Sequence, residues 1–473
     1  MAQVVAGNRG GKALISRGYR YTYNQKRLTY IYWRCWREDC PGTLRTNRFD
    51  FNNPNAVIQP RNGAPHNHGS DDAYIARNNT VELMKAAIRR DPSRRLRDAY
   101  DEIVRQVVQQ HGVAAQFPPY ESIRSTLNRT RLENIPPVPV NVHHVVLNGV
   151  WTVTLGNDRF LLYQDNRNGI LVFATDDDIR VLATADCVYV DGTFRSAPRP
   201  FLQFFTIHGR VNDFTLKLGC ALLANKEARS YRIVLQVIAA RVHALAGHAW
   251  APAHIVTDFE AGILAAVRIV LPGARVEGCY FHFAKAIWKH VQTLGLVRAY
   301  NRNPRMRLLI RKVVCIGFLP LNLVRMNFQM LRNNAVHLIR IHPALNRFFG
   351  YIERTWVNRN ARFPPRLWNV FRRQMEFRTN NAVESYNRKW NDIVGVRHPS
   401  LFLFIRSLKN QQVIHETEKQ NMLNGLPPPL RRRKWRRLEE RIDRVKAQYM
   451  NGQRTIDNYW NAVTVLVHRY HRP

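Results

Sequence analysis

Val188-Tyr189-Val190-Asp191-Gly192-Thr193-Phe194 is a short β-rich apolar run that ends on an acid. Phe201 to His208 and Phe214 to Leu223 are two further runs of the same kind, so three strands stand in succession. A helix follows, with Tyr231, Val234, Leu235 and Ile238 on one face. Ile255-Val256 then reads as a fourth strand, and Ile263, Leu264, Val267, Val270 and Leu271 as the apolar face of a second helix.

Three strands, a helix, a strand and a helix are the order of an RNase H-like α/β fold. In that order the first and fourth strands are parallel neighbours, which sets Asp191 beside Asp258 of Thr257-Asp258-Phe259-Glu260. A carboxylate that ends a buried strand must be paired, hydrogen-bonded or coordinating, because burying an isolated charge is strongly unfavourable. A third acid, Glu384, lies in a helical phase through Val383, Tyr386, Trp390 and Ile393. It sits at the border of that stripe, where a side chain can pack on a sheet and still aim at its edge.

Three such acids suit two Mg²⁺ or Mn²⁺ ions about 3.5–4 Å apart, the arrangement used for phosphoryl transfer on polynucleotides. Plainer roles remain open at this point. Asp258 is well placed as a helix cap, and Asp191-Gly192-Thr193 reads equally as a turn. Glu260, Asp213, Glu353 and Glu376 are rival acids.

The chain has 473 residues, with 72 Lys and Arg against 34 Asp and Glu, a formal charge of +38. That excess calls for a polyanion, and double-stranded DNA is the expected one. A membrane is the competing polyanion, but no stretch approaches the roughly 20 apolar residues of a spanning helix. The start of the chain lacks the apolar segment of a secretory signal. Six scattered cysteines are too few for a disulfide framework and imply a reducing compartment, with Cys187, Cys220 and Cys315 as core thiols.

Near the N-terminus, Cys35 and Cys40 flank a turn and His66 and His68 follow in an extended segment, where alternate side chains point the same way. Two thiolates and two imidazoles make a closed tetrahedral Zn²⁺ site, which so small a section needs in order to fold. Cys279 and His282 form a second pair of zinc-type ligands, or else order the loop after the fifth strand. Arg89, Arg90, Arg94, Arg95 and Arg97 fit a helix that meets DNA phosphates. Arg431, Arg432, Arg433, Lys434, Arg436 and Arg437 fit a nuclear localisation signal or a phosphate-binding arm. Trp356 and Trp368 are either core residues or stacking platforms for an unpaired base.

Val190-Asp191-Gly192-Thr193-Phe194, Thr257-Asp258-Phe259-Glu260, Gly278-Cys279-Tyr280-Phe281-His282-Phe283 and Arg378-Thr379-Asn380-Asn381-Ala382-Val383-Glu384, in this order, resemble the transposase domain of Mutator-like elements (MULE). The resemblance runs from about 140 to 410. It implies an RNase H-like catalytic domain in which Asp191, Asp258 and Glu384 hold two Mg²⁺ or Mn²⁺ ions, with a helical insertion before the glutamate. Tyr19, Tyr32-Trp33-Arg34-Cys35, Cys40-Pro41-Gly42 and His66-Asn67-His68 resemble a FLYWCH zinc finger whose opening aromatic is replaced by Leu14 or Ile15.

The expected organisation is a zinc finger over 1–75, a helical arginine-rich DNA-binding segment over 76–140 and an RNase H-like core over 141–283. A helical insertion over 284–378, the remainder of the core with Glu384 over 379–410 and a basic helical tail over 411–473 complete it. The resemblance implies a nuclear cut-and-paste DNA transposase that binds element ends and target DNA as a homo-oligomer. The alternatives are a domesticated, non-catalytic DNA-binding regulator and a metal-dependent nuclease without strand transfer.

Overall fold

Two units, residues 1–136 and 137–473, divide the chain. The computed structural model describes residues 2–6, 11–51, 53, 56–111, 117–373, 381–428 and 432–468. Glu376 and Arg431 lie outside the described residues.

The first unit opens as an antiparallel sheet of β1 (Ala2–Ala6), β2 (Lys12–Ser16), β3 (Tyr19–Lys26), β4 (Tyr30–Cys35), β5 (Thr43–Asn47) and β6 (Pro60–Asn62), paired in chain order. Alternation along the strands gathers Leu14, Tyr21, Ile31, Trp33 and Leu44 into a small core. Leu14 is fully buried there, so the aliphatic residue fills its place in the sheet. Helices α1 (Asp72–Arg90), α2 (Leu96–His111) and α3 (Tyr120–Leu132) then pack about Met84, Ile103, Val107, Ile123 and Leu127.

The second unit is built on β7 (Leu161–Asp165), β8 (Ile170–Phe173), α4 (Asp176–Ala183), β9 (Cys187–Thr193), β10 (Gln203–Val211), β11 (Phe214–Leu223), α5 (Ala228–Ala246), β12 (His254–Thr257), α6 (Ala261–Val270) and β13 (Arg275–Gly278). The sheet order is β13-β12-β9-β10-β11-β8-β7. β12 runs parallel to both β9 and β13, and the remaining pairs are antiparallel. β7 and β8 extend the sheet beyond the three strands read from the sequence. Alternation along β9 sends Val188 and Val190 into the core under α5 and α6, and Cys187, Tyr189 and Asp191 to the opposite face.

α7 (Tyr280–Thr293), α8 (Val297–Arg302), α9 (Pro304–Cys315), α10 (Val324–Asn333), α11 (Val336–Ile341), α12 (Ala344–Ile352) and α13 (Pro365–Trp368) form a helical body with its own apolar core. Phe283 stacks on Trp368 at 4.3 Å and Trp356 meets Phe259 edge-on at 4.7 Å. Trp356 and Trp368 are 1% and 0% exposed, so neither ring face is open to a base, and the stacking role considered for them is excluded.

α14 (Asn381–Val394) and α15 (Leu401–Leu423) return to the sheet, against β9 and β11. α16 (Arg433–Met450) and α17 (Ile456–His468) bury Leu438, Ile442, Tyr459, Trp460 and Val463 in the core of the helical body. The stretch 411–473, expected as one tail, therefore divides between two cores, and position 410 falls inside α15.

A buried polar cluster ties α4 to α15. Asp178 closes a capping box with Thr175 at the start of α4 and accepts from Lys419 Nζ at 3.1 Å and Gln412 Nε2 at 2.8 Å. His415 Nε2 stands 3.4 Å from its carboxylate. Burial alone raises the Asp178 carboxyl, but His415, Lys419 and Lys217 outweigh it and hold the group well below the usual carboxylate range. The resulting stability is complete above the unfolded-state carboxyl value of about 3.9 and is lost as pH falls toward the lower folded value. Asp178→Asn is expected to cost about 3–5 kcal/mol in urea unfolding near neutral pH. The gap from the parent protein should narrow as the pH is taken below about 4.

Candidate metal centres

β4 delivers Cys35 at its end, the turn before β5 holds Cys40, and the segment after β6 carries His66 and His68. Their ligand atoms all lie within 4.8 Å of one another, and no other such group occurs among the described residues. Cys35 Sγ is 3.3 Å from His68 Nε2, and Cys40 Sγ is 3.3 Å from His66 Nδ1. The inward nitrogen thus differs between the two rings. The outward nitrogens are held, His66 Nε2 by Tyr21 Oη at 2.9 Å and His68 Nδ1 by the Gly69 carbonyl at 2.6 Å. Tyr19 stacks on His66 with ring centroids 3.8 Å apart. Soft thiolates with imidazoles oriented from behind fit structural Zn²⁺.

The second unit gathers acids at one end of the parallel strands. Thr257 of β12 lies beside Val190 of β9, so Asp258 and Asp191 are the next residues on adjacent chains. Glu384, in the first turn of α14, is near enough that its charge raises both. Asp191 is 5% exposed. Its burial, with the Asp258 and Glu384 charges, pushes its carboxyl up to about 8. Burial raises Asp258 to about 6, with Glu260 and Glu384 adding to the shift and the Glu260 N–H bond and Lys226 opposing it.

Each acid has an oxygen held by a neighbour. Asn387 Nδ2 donates to Asp191 Oδ2 at 2.6 Å, Glu260 N donates to Asp258 Oδ1 at 3.0 Å, and His282 Nε2 stands 3.2 Å from Glu384 Oε1. Burial and Lys285 lower His282 to about 4, so the neutral ring donates from Nε2. Gly192 is required where it stands, because a Cβ there would lie 1.7 Å from Gln203 Nε2.

Family models match two stretches of the chain, the MULE transposase domain at 187–286 and the FLYWCH zinc finger domain at 4–68. The chain carries both domains. No curated protein matches it. The FLYWCH match contains all four of Cys35, Cys40, His66 and His68, and the MULE match contains Asp191, Asp258, Cys279 and His282 while Glu384 lies beyond it. Together the two domains support a transposase-like role in DNA binding, and no helix among the described residues is long and apolar enough to cross a membrane.

Within the MULE domain, Cys279 stands at the N-cap position of α7 and is buried with Cys187, Tyr189, Val256 and Val383, while His282 in the first turn of α7 stands beside Glu384. Two of the rival acids are engaged elsewhere, Asp213 with Arg210 and Glu353 with Arg332, whereas Glu260 is bonded by Tyr231 Oη and stands beside Asp258, whose carboxyl its charge raises. Asn387 was not singled out from the sequence, although its place three residues after Glu384 on one helical face was a readable signal.

The arginines behind the FLYWCH domain stand on a helical bundle in surface ion pairs, Arg89 with Glu133, Arg94 with Glu102 and Arg97 with Asp101. Arg90 ends α1, and Arg95 lies in the turn before α2. The run Arg432, Arg433, Lys434, Arg436 and Arg437 is exposed on the first turns of α16, which is anchored by Leu438 and Ile442 instead of hanging free.

Zinc chelation is expected to unfold the FLYWCH sheet, read as new protease cleavage within 11–68 in the full chain. Tyr21→Phe, which removes the partner of His66 Nε2, is expected to lower zinc affinity by roughly 10- to 100-fold in a competition titration.

Proposed function

We propose that the chain is a DNA transposase whose second unit has an RNase H-like catalytic core. The observation that carries this reading is the convergence of Asp191, Asp258 and Glu384 from β9, β12 and α14, close enough that the charges of the second and third raise the first. The order β13-β12-β9-β10-β11, with its single parallel trio at β13, β12 and β9, supports the fold assignment. The MULE match supports the reaction class.

The donor set fits hard divalent cations. Three mutually repelling carboxylates, one of them nearly buried, form a site that Mg²⁺ or Mn²⁺ would relieve. Bound there, the ions would supply the Lewis acidity that activates a water or a 3′-hydroxyl and stabilises the leaving oxygen. The protein's part is orientation. Asn387 fixes Asp191, the Glu260 N–H fixes Asp258 and His282 fixes Glu384, so each acid meets substrate with one oxygen already placed.

Cleavage by water and joining by the freed 3′-hydroxyl are then successive uses of one site. Acting on two element ends implies a homo-oligomer on DNA, and work on chromosomal DNA implies the nucleus. The FLYWCH domain, the arginine-bearing helices behind it and the basic start of α16 supply contacts to terminal and target sequences.

On duplexes carrying the terminal sequences, the protein is expected to give Mg²⁺- or Mn²⁺-dependent nicks and strand-transfer products. Asp258→Asn and Glu384→Gln should each remove the products and leave DNA affinity intact. Binding without product in the unaltered protein would mean a DNA-binding regulator, and nicks without joining would mean a nuclease.

A further inference from the structure

A cavity of about 400 Å³ lies along the free edge of β13 and is lined by Arg268, Arg275, Arg366 and Arg372, with Leu367 and Asn369 among its walls. Among the described residues, no carboxylate lines it. Arg275 is paired with Glu277 at 3.0 Å, but Arg268, Arg366 and Arg372 have no hydrogen bond or ion pair among the described residues. Three exposed guanidiniums thus converge on one concavity with no acidic partner among the described residues.

The frame that carries them is rigid. Asn369 Nδ2 donates to the Leu319 carbonyl at 2.8 Å, and Val370 N donates to the Gly317 carbonyl at 2.8 Å. Trp368 Nε1 donates to the Phe363 carbonyl at 3.0 Å. Beneath, buried Arg373 donates to the Gly278 carbonyl at 2.8 Å and stands 3.6 Å from Glu277. Guanidinium forks set on a fixed backbone lose little freedom when they engage phosphate oxygens in pairs.

The cavity's place gives it an occupant. Gly278 ends β13 beside Thr257, the residue before Asp258, and the Leu367 carbonyl lies 3.3 Å from where a Cβ on Gly278 would stand. The arginine-lined edge therefore begins one strand away from the acids and runs away from them.

We propose that this cavity is a second polyanion subsite, which holds backbone phosphates of the DNA strand next to the one presented to Asp191, Asp258 and Glu384. DNA as the occupant rests on the function proposed above; the cavity, its charge and its unpaired guanidiniums do not.

The test is made with full-length protein carrying Asp258→Asn, so that no chemistry intervenes, on duplex DNA by fluorescence anisotropy across a salt series. Arg366→Glu with Arg372→Glu is expected to weaken binding on the order of 10-fold and to reduce the salt slope by about 2, since each lost phosphate contact removes about 1. Arg366→Lys with Arg372→Lys should keep most of the affinity, which separates lost charge from a lost fold. Arg325→Glu with Arg340→Glu, on exposed turns of α10 and α11, makes the same change in net charge elsewhere and should act much less.

Unchanged affinity and slope in the first variant would overturn the subsite, as would an equal loss in the Arg325 and Arg340 control. Loss of inorganic phosphate binding with DNA binding unaltered would also overturn it. A protein that bound DNA through these arginines but never cleaved it would leave the subsite standing and remove the transposase reading.

Discussion

Thr257 beside Val190 is the contact on which the acid cluster of the second unit depends. Parallel pairing of β12 with β9 puts two strand ends at the same level, and the chain places an acid directly after each paired residue. Asp191 is almost buried, and Asp258 and Glu384 make its ionisation harder, so the sheet carries an electrostatic cost that only cations or a proton can offset.

The packing around the acids limits how far they can relax. Phe259, the residue after Asp258, is held edge-on by both Trp356 and Phe363, so the helical body grips the turn that carries the acid. Gly278 must lack a side chain for that grip, because a Cβ there would lie 2.4 Å from the Phe259 ring. On the other side, α14 presents Glu384 and Asn387 from one face, and the Asn387 bond to Asp191 locks helix to strand. The insertion between β13 and α14 is thus a clamp for Asp258 as well as a spacer before Glu384.

The small sheet of the first unit faces a different constraint. Among the described residues, five buried apolar side chains make its core, few for six short strands. The Cys and His ligands lie at the end of β4, in the turn before β5 and after β6, so a bound ion joins segments that the core alone would leave loose. Tyr19 and Tyr21 come from β3 to orient His66, which makes the aromatic strand part of the metal centre.

The strands from β9 to β12 could be read from the sequence because they are buried on both faces and appear as unbroken apolar runs. β7 and β8 could not, since runs as short as Leu161–Asp165 and Ile170–Phe173 carry no period that separates a strand from a loop. β13 hides for another reason: Arg275-Val276-Glu277-Gly278 reads as polar, and Arg275 together with the distant Arg373 makes a buried Glu277 tolerable. Local pattern by itself determined the order of the central strands, the acids at their ends, the Cys and His ligand set and the basic balance, because spacing and composition are properties of neighbours in the chain. Tertiary structure alone decided that His282 stands at Glu384, that the tryptophans belong to the core and that four arginines line one cavity, because those contacts join residues whose separation in the chain carries no signal.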